Sequence, residues 1–167
     1  MRVEDADLGA DTAALLALNN AAVPAVNTLT VEAFQALAAL GRVRVVRGDG
    51  GTVDGFVLTL PSGTDYASLN YQWFDERYAS FLYVDRVVVD PRAQGGGIGR
   101  LLYEDTIARA RAEGFERVCS EVNVDPPNPQ SMAFHARLGF VPVFERLNPA
   151  EGKTVAMMVH GLAATAA

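Results

Sequence analysis

A chain of 167 residues and 17.8 kDa, half of it hydrophobic, can bury a core without disulfide or metal staples, and a single small domain spanning residues 1–167 is the economical expectation. A net charge of −6, a sequence pI near 4.8 and a single lysine, Lys153, against 13 arginines leave no basic footprint for nucleic acid, whereas a cationic or amine-bearing acceptor suits this balance. The lone cysteine, Cys119, excludes an internal disulfide, no run approaches the roughly 18 apolar residues of a membrane span, and the acidic N-terminus is unlike a signal peptide, so a cytoplasmic protein is expected.

In chain order, Met1 to Glu4 reads as a short strand. Asp11 is placed to cap an alanine- and leucine-rich helix from about Thr12 to Asn20, which the Pro24 region breaks. Thr30 is placed to cap a second helix, with Glu32 in its first turn and Gly41 as its stop. Arg42 to Arg47 and Val53 to Leu60 are β-branched runs flanking Gly48-Asp-Gly-Gly51, which signals a hairpin. Pro61 to Ser80 then reads as a long loop holding Tyr66, Tyr71, Trp73, Phe74 and Tyr78 with several acidic residues. Such a segment is either a binding lid or a loop that folds its aromatics onto the core, and Tyr71, Trp73 and Tyr78 are candidate acceptor contacts.

Phe81 to Val89 is an apolar strand that runs into Asp90-Pro-Arg-Ala-Gln-Gly-Gly-Gly-Ile-Gly-Arg100, and a helix follows to about Glu113, where Gly114 stops it. A strand, a glycine-rich turn and a helix in that order leave several backbone N–H groups aimed at one spot, which attracts an anion. Gly95, Gly96, Gly97 and Gly99 remove the side chains that would hold a phosphate away. The dinucleotide spacing of glycines at i, i+2 and i+5 fails, because the last place falls on Arg100 or Leu102. The triphosphate loop fails for want of its lysine. Beyond the turn, Phe115 to Val124 reads as a strand with Cys119 packed inside it, and Asn128 with Pro129 opens a short helix that Gly139 closes. Phe140 to Arg146 and Thr154 to His160 read as closing strands, and Leu162 to Ala167 as a frayed tail.

Gln94-x-x-Gly97-x-Gly99 behind Val89-x-Pro91, followed by Asn128-x-x-Ser131, Phe134-His135 and Leu138-Gly139-Phe140, resembles the two-part pattern of the GNAT superfamily of acetyl-CoA-dependent N-acetyltransferases. The match covers about Phe81 to Phe140. It implies a mixed α/β (α+β) single-domain fold. The sheet would be central, mixed and mostly antiparallel, with roughly six or seven strands flanked by about four helices, and splayed parallel strands would form the CoA cleft. By the same resemblance, Val87, Val88 and Val89 would pair with the pantetheine arm, and the backbone from Gly95 through Ile98 and Gly99 to Arg100 would hold the pyrophosphate beside Gln94. Asn128, Ser131 and His135 would line the arm or the acyl end. No metal is implied. The acceptor would be a small-molecule or peptide amine rather than nucleic acid or membrane, and a homodimer is common among relatives.

Direct attack of an amine on a thioester needs a base for the ammonium proton, a donor for the developing negative charge on the acyl oxygen, and a proton for the departing thiolate. The backbone N–H near Val87 is the expected donor. His135 stands where many relatives carry a tyrosine acid, seven residues after the asparagine, and is either that acid or a structural hydrogen bond. Asp85 and Glu121, carboxylates inside apolar strands, are the two candidate bases, with a water relay as a third route, and Asp85 has two other readings, an anchor for the acceptor's ammonium or an ion pair to Arg86 or another arginine. A non-catalytic acyl-CoA sensor, or the same fold with another acyl donor, are the alternatives to an enzyme acting on acetyl-CoA.

Overall fold

In the computed structural model, which describes residues 1–163, the first strand β1 (Val3–Asp5) leads into helix α1 (Leu8–Ala21). The cap is not Asp11. Asp7 fills that position, its carboxylate accepting from the amides of Gly9 at 3.0 Å and Ala10 at 3.2 Å. Asp11 lies inside the helix, buried, where it accepts from Arg47 at 2.7 and 3.1 Å. Both aspartates suit a helix N-terminus, and the partner offered by a distant strand decides between them. Thr30 caps α2 (Val31–Leu40) as expected, its hydroxyl accepting from the Ala33 amide. Gly41 ends that helix because a Cβ there would lie 1.9 Å from the carbonyl oxygen of Thr59.

Strands β2 (Arg42–Arg47) and β3 (Val53–Pro61) form the expected hairpin. Next comes a correction. The segment read as a loop contains a helix, α3 (Leu69–Arg77), capped by Ser68, whose hydroxyl accepts from the Tyr71 amide. Its apolar residues, Tyr71 and Phe74, are spaced one turn apart and buried, too few to show a helical period in the sequence. There follow β4 (Leu82–Val89), α4 (Ile98–Ala112), β5 (Arg117–Asp125), α5 (Pro129–Arg137), β6 (Val141–Asn148) and β7 (Lys153–Gly161). Among the described residues, seven strands in the order β1-β2-β3-β4-β5-β7-β6 and five α-helices make up the mixed sheet fold, with β1 on β2, β2 on β3, β5 on β7 and β6 on β7 antiparallel and β4 on β5 parallel. The helix count exceeds the expected four by α3.

The residues pack as two compact units. One comprises Met1–Leu60 with Val84–Thr106, and the other Pro61–Tyr83 with the chain from Ile107 onward. In the first, Leu15, Phe34, Val45, Phe56 and Leu102 are fully buried. Arg47 ties β2 to β1 and α1 through Glu4 at 2.5 Å and Asp11, and Arg44 does the same through Asp5 and Asp105. In the second, Tyr71, Phe74, Phe81 and Tyr83 form one aromatic cluster with ring centroids 5.4–6.2 Å apart. There the parallel ladder of β4 on β5 comprises Leu82 with Val118 and Tyr83 with Cys119, although β4 continues to Val89 and β5 to Asp125. The expected tail from Leu162 begins with a bond from the Leu162 amide to the Glu116 carbonyl, and its last four residues lie outside the described ones.

Candidate functional site

In the first unit the alternation of β4 sends Val84, Arg86 and Val88 inward and turns Asp85, Val87 and Val89 to the other side, where the two valines are half-buried and the Asp85 side chain is covered. Asp90 then sets the turn. Its amide donates to the Asp54 carbonyl at 2.8 Å, and its carboxylate accepts from the Arg92 amide and guanidinium, hydrogen bonds that hold its pKa down at about 2. Gly95 and Gly97 have φ of +85° and +81°, and a Cβ built on either meets no atom within 4 Å. The first backbone bond of α4 runs from the Leu101 amide to the Gly97 carbonyl, so the amides of Ile98, Gly99 and Arg100 project from the helix end beside that open space. Ile98 and Leu102 seat the helix on Gly55 of β3, where a Cβ would come 2.8 Å from Ile98 Cγ2. Arg100 is exposed and paired with Glu104 at 2.7 Å, a surface pair that an incoming anion can exchange at little cost.

Asp85 is not an isolated carboxylate. It accepts from Arg86 Nε at 2.6 Å, with both side chains about 95% buried. Arg86 also donates to Asn19 of α1 at 2.9 Å, and Asn19 donates to the Asn27 carbonyl at 3.0 Å, so one buried arginine ties α1 and the segment after it to β4. Sequence reading singled out neither Asn19 nor this role for Arg86. Partners separated by 67 residues carry no local signal.

The second unit holds the other candidates. Tyr83 donates its phenol proton to the Glu121 carboxylate, with both oxygens at 2.8 Å. Asn128 caps α5, its Oδ1 accepting from the Ser131 amide at 3.1 Å, and Pro129 takes the first helical position, as expected. His135 is 5% exposed, and burial pushes its pKa below the usual histidine value. Its Nδ1 lies 2.8 Å from the Ser131 carbonyl oxygen, which only accepts, so in the neutral ring the proton resides on Nδ1 and the lone pair on Nε2. The ring packs edge-on against Phe140, which in turn contacts His160 at 5.5 Å. His160 Nδ1 donates to the Leu138 carbonyl at 2.9 Å and lies under Gly139, φ +86°. Cys119 is fully buried, and burial pushes its thiol far above the range in which a thiolate forms near neutral pH.

The aromatic segment divides. Tyr71 is fully buried, donating its phenol proton to the Pro61 carbonyl at 2.5 Å and accepting from the Thr64 amide at 2.9 Å. Trp73 stacks on Phe144 of β6 at 5.3 Å with Arg77 4.0 Å above its ring, and Tyr78 carries the Arg117 guanidinium at 4.1 Å. Tyr71 thus serves the core, while Trp73 and Tyr78 are partly open to solvent. Among the described residues no group of three His, Cys, Asp or Glu side chains is arranged to hold a metal ion, and no helix is long and apolar enough to cross a membrane.

Among curated proteins none matches the sequence. Solved structures share its fold at low identity. The ribosomal-protein-S18-alanine N-acetyltransferase of Escherichia coli is 18% identical with a TM-score of 0.72, over 97% of this chain and 95% of that one. The ribosomal-protein-alanine N-acetyltransferase of Brucella melitensis is 23% identical with a TM-score of 0.74, over 97% and 100%. The yncA protein of Salmonella typhimurium, solved with its cofactor acetyl-CoA, is 22% identical with a TM-score of 0.72, over 100% and 96%. The model of the acetyltransferase (GNAT) family matches residues 28–140, from the end of the α1–α2 connection through the glycine turn and α5 to Phe140. With two thirds of its length matched, the chain belongs to the GNAT acetyltransferase family.

Proposed function

We propose that the protein transfers an acetyl group from acetyl-CoA to a primary amine of a small molecule or peptide, by direct attack with both substrates bound. The observation that carries this reading is the turn at Gly95–Gly97, two left-handed glycines over open space at the start of α4. The amides of Ile98, Gly99 and Arg100, with the helix dipole behind them, suit the diphosphate of the coenzyme. Bound acetyl-CoA supplies an activated acyl thioester.

On this reading the half-buried side of β4 at Val87 to Val89 receives the pantetheine arm, and the Val87 amide donates to the acyl oxygen as negative charge develops there. Asn128 Oδ1 is committed to its helix, which leaves its amide nitrogen to donate toward the arm. Glu121 is the better base of the two carboxylates, because Asp85 is ion-paired with the Arg86 guanidinium at 2.6 Å, whereas the partner at 2.8 Å from Glu121 is the uncharged phenol of Tyr83. His135, first read as either the acid or a structural hydrogen bond, keeps the acid role on this reading and gains an acceptor one. Neutral and protonated on Nδ1, it offers Nε2 as an acceptor, so it takes the proton shed by the amine nitrogen as the amide forms and returns it to sulfur as the C–S bond breaks. Relatives of similar fold are named for acetylating an alanine of a ribosomal protein, which makes peptide N-termini the first acceptors to try.

The test is thiol release from acetyl-CoA with a panel of peptides bearing free N-termini and small primary amines, followed by mass spectrometry of the products. A mass gain of one acetyl group on at least one amine is expected. Tight acetyl-CoA binding with no product from any amine would instead make the protein a sensor of the coenzyme.

A further inference from the structure

The phenol of Tyr83 is fully inside the second unit, yet it does not serve the core as Tyr71 does. Tyr71 spends its hydroxyl on the backbone of Pro61 and Thr64, whereas Tyr83 directs its proton to the Glu121 carboxylate. The register explains how. Tyr83 forms the last pair of the parallel ladder, opposite Cys119, and Glu121 is two residues further along β5 on the same face. The ring of Tyr83 is gripped by Tyr71 at 5.4 Å and Phe74 at 5.9 Å, both from α3. A glutamate on a half-exposed strand position has three side-chain torsions to settle, and a buried, ring-locked phenol contacting both oxygens restricts them.

We propose that Tyr83 is a positioning residue for the acyl transfer, holding the Glu121 carboxylate in the orientation from which it takes the acceptor's proton. The role of α3 follows. Its buried face, Tyr71 and Phe74, backs the tyrosine that aims the base, so the aromatic segment reaches the chemistry through the core. This rests on Glu121 being the base. β4 also carries the mutually paired Asp85 and Arg86, β5 carries Arg117, Cys119 and Asp125, α5 carries His135 and Arg137, and β7 has Lys153 and His160 near its ends. Tyr83 reaches Glu121 through its phenol oxygen, 2.8 Å from each carboxylate oxygen.

The experiment compares the full-length protein with Tyr83→Phe, Glu121→Gln and the double variant, using the best acceptor from the amine panel. It follows kcat, the KM for acetyl-CoA and the pH dependence of kcat/KM, and titrates the Glu121 carboxyl by carbon-13 NMR in wild type and Tyr83→Phe. Expected are a loss of about 100-fold in kcat for Glu121→Gln and about tenfold for Tyr83→Phe, with the KM for acetyl-CoA within about threefold of wild type. The acid limb and the NMR titration of Glu121 should both move to higher pH in Tyr83→Phe, because the charged carboxylate loses its donor. Adding Tyr83→Phe to Glu121→Gln should cost nothing more. An inactive Glu121→Gln beside a Tyr83→Phe with full kcat and an unmoved acid limb would overturn the proposal while leaving the base in place. A fully active Glu121→Gln would overturn the base and the proposal with it. Loss of acetyl-CoA affinity in step with kcat in Tyr83→Phe would mark core damage and also count against it.

Discussion

Two glycine turns in this molecule share a backbone conformation and differ in everything around it. Gly97, φ +81°, precedes α4, and Gly139, φ +86°, follows α5. A Cβ on Gly97 would meet nothing within 4 Å, whereas one on Gly139 would lie 2.9 Å from His160 Nδ1. The second turn is filled by the protein itself: His160 bonds the Leu138 carbonyl, and Phe140 carries the contact on to His135. The first is left empty by the protein. Positive φ alone therefore says only that glycine is needed, and because Gly50, Gly51, Gly63, Gly114 and Gly152 are left-handed and equally open, what sets the Gly97 turn apart is the α4 N-terminus whose amides it presents.

Substitution at the two turns separates these roles most sharply. Gly97→Val should weaken acetyl-CoA binding by about 100-fold or more, since it combines the left-handed penalty with a branched side chain where the diphosphate would rest. Calorimetry checks this, and unchanged affinity would remove the turn from the coenzyme site. At the filled end, His135→Phe should reduce kcat by about tenfold to 100-fold while the acetyl-CoA KM stays within about threefold. Equal loss of both would reassign His135 to holding the coenzyme.

Gly139→Ala should leave coenzyme affinity intact but destabilise the fold by about 3 kcal/mol, from the left-handed strain together with the collision at His160. Gly97→Ala, with strain and no collision, should cost about 1 kcal/mol. Comparable losses in urea unfolding of the two variants would contradict the difference in their surroundings.

Two pH effects complete the comparison. Burial depresses the pKa of His135 when folded, so the unfolded chain binds its proton more tightly, and the stability linked to this residue is present above about pH 6.5 and lost as pH falls through the depressed value. His135→Phe should flatten that part of the stability profile. The hydrogen bond from Arg47 likewise depresses Asp11, whose contribution is full above about pH 4 and lost only in stronger acid. That effect belongs to the α1 tether, and Asp11→Asn should remove it without changing coenzyme affinity.

Much of this was legible beforehand because it is local. Thr30, Asn128 with Pro129, and Gly139 act on amides and angles a few residues away, and their roles were evident from type and spacing. The conformation of the glycine turn belongs with them, since Gly95 and Gly97 take the positive φ that a tight bend between a strand and a helix calls for. The two-part motif then identified the family, as the match over residues 28–140 shows.

What the tertiary structure decided was the choice of partners. Asp11 was read as the cap, and the structure gives that place to Asp7 while Arg47, 36 residues from Asp11, engages the other aspartate. Asp85 and Glu121 were equivalent carboxylates in apolar strands until Arg86 neutralised the first and Tyr83, 38 residues away, oriented the second. His135 was open between an acid and a structural hydrogen bond, and the Ser131 carbonyl, 2.8 Å from Nδ1, sets which nitrogen of the neutral ring holds the proton. The amino-acid sequence determined which side chains can ionise, donate or bend. Their roles were assigned by contacts across the fold, because the free energy of a buried charge depends on what stands within about 3 Å of it.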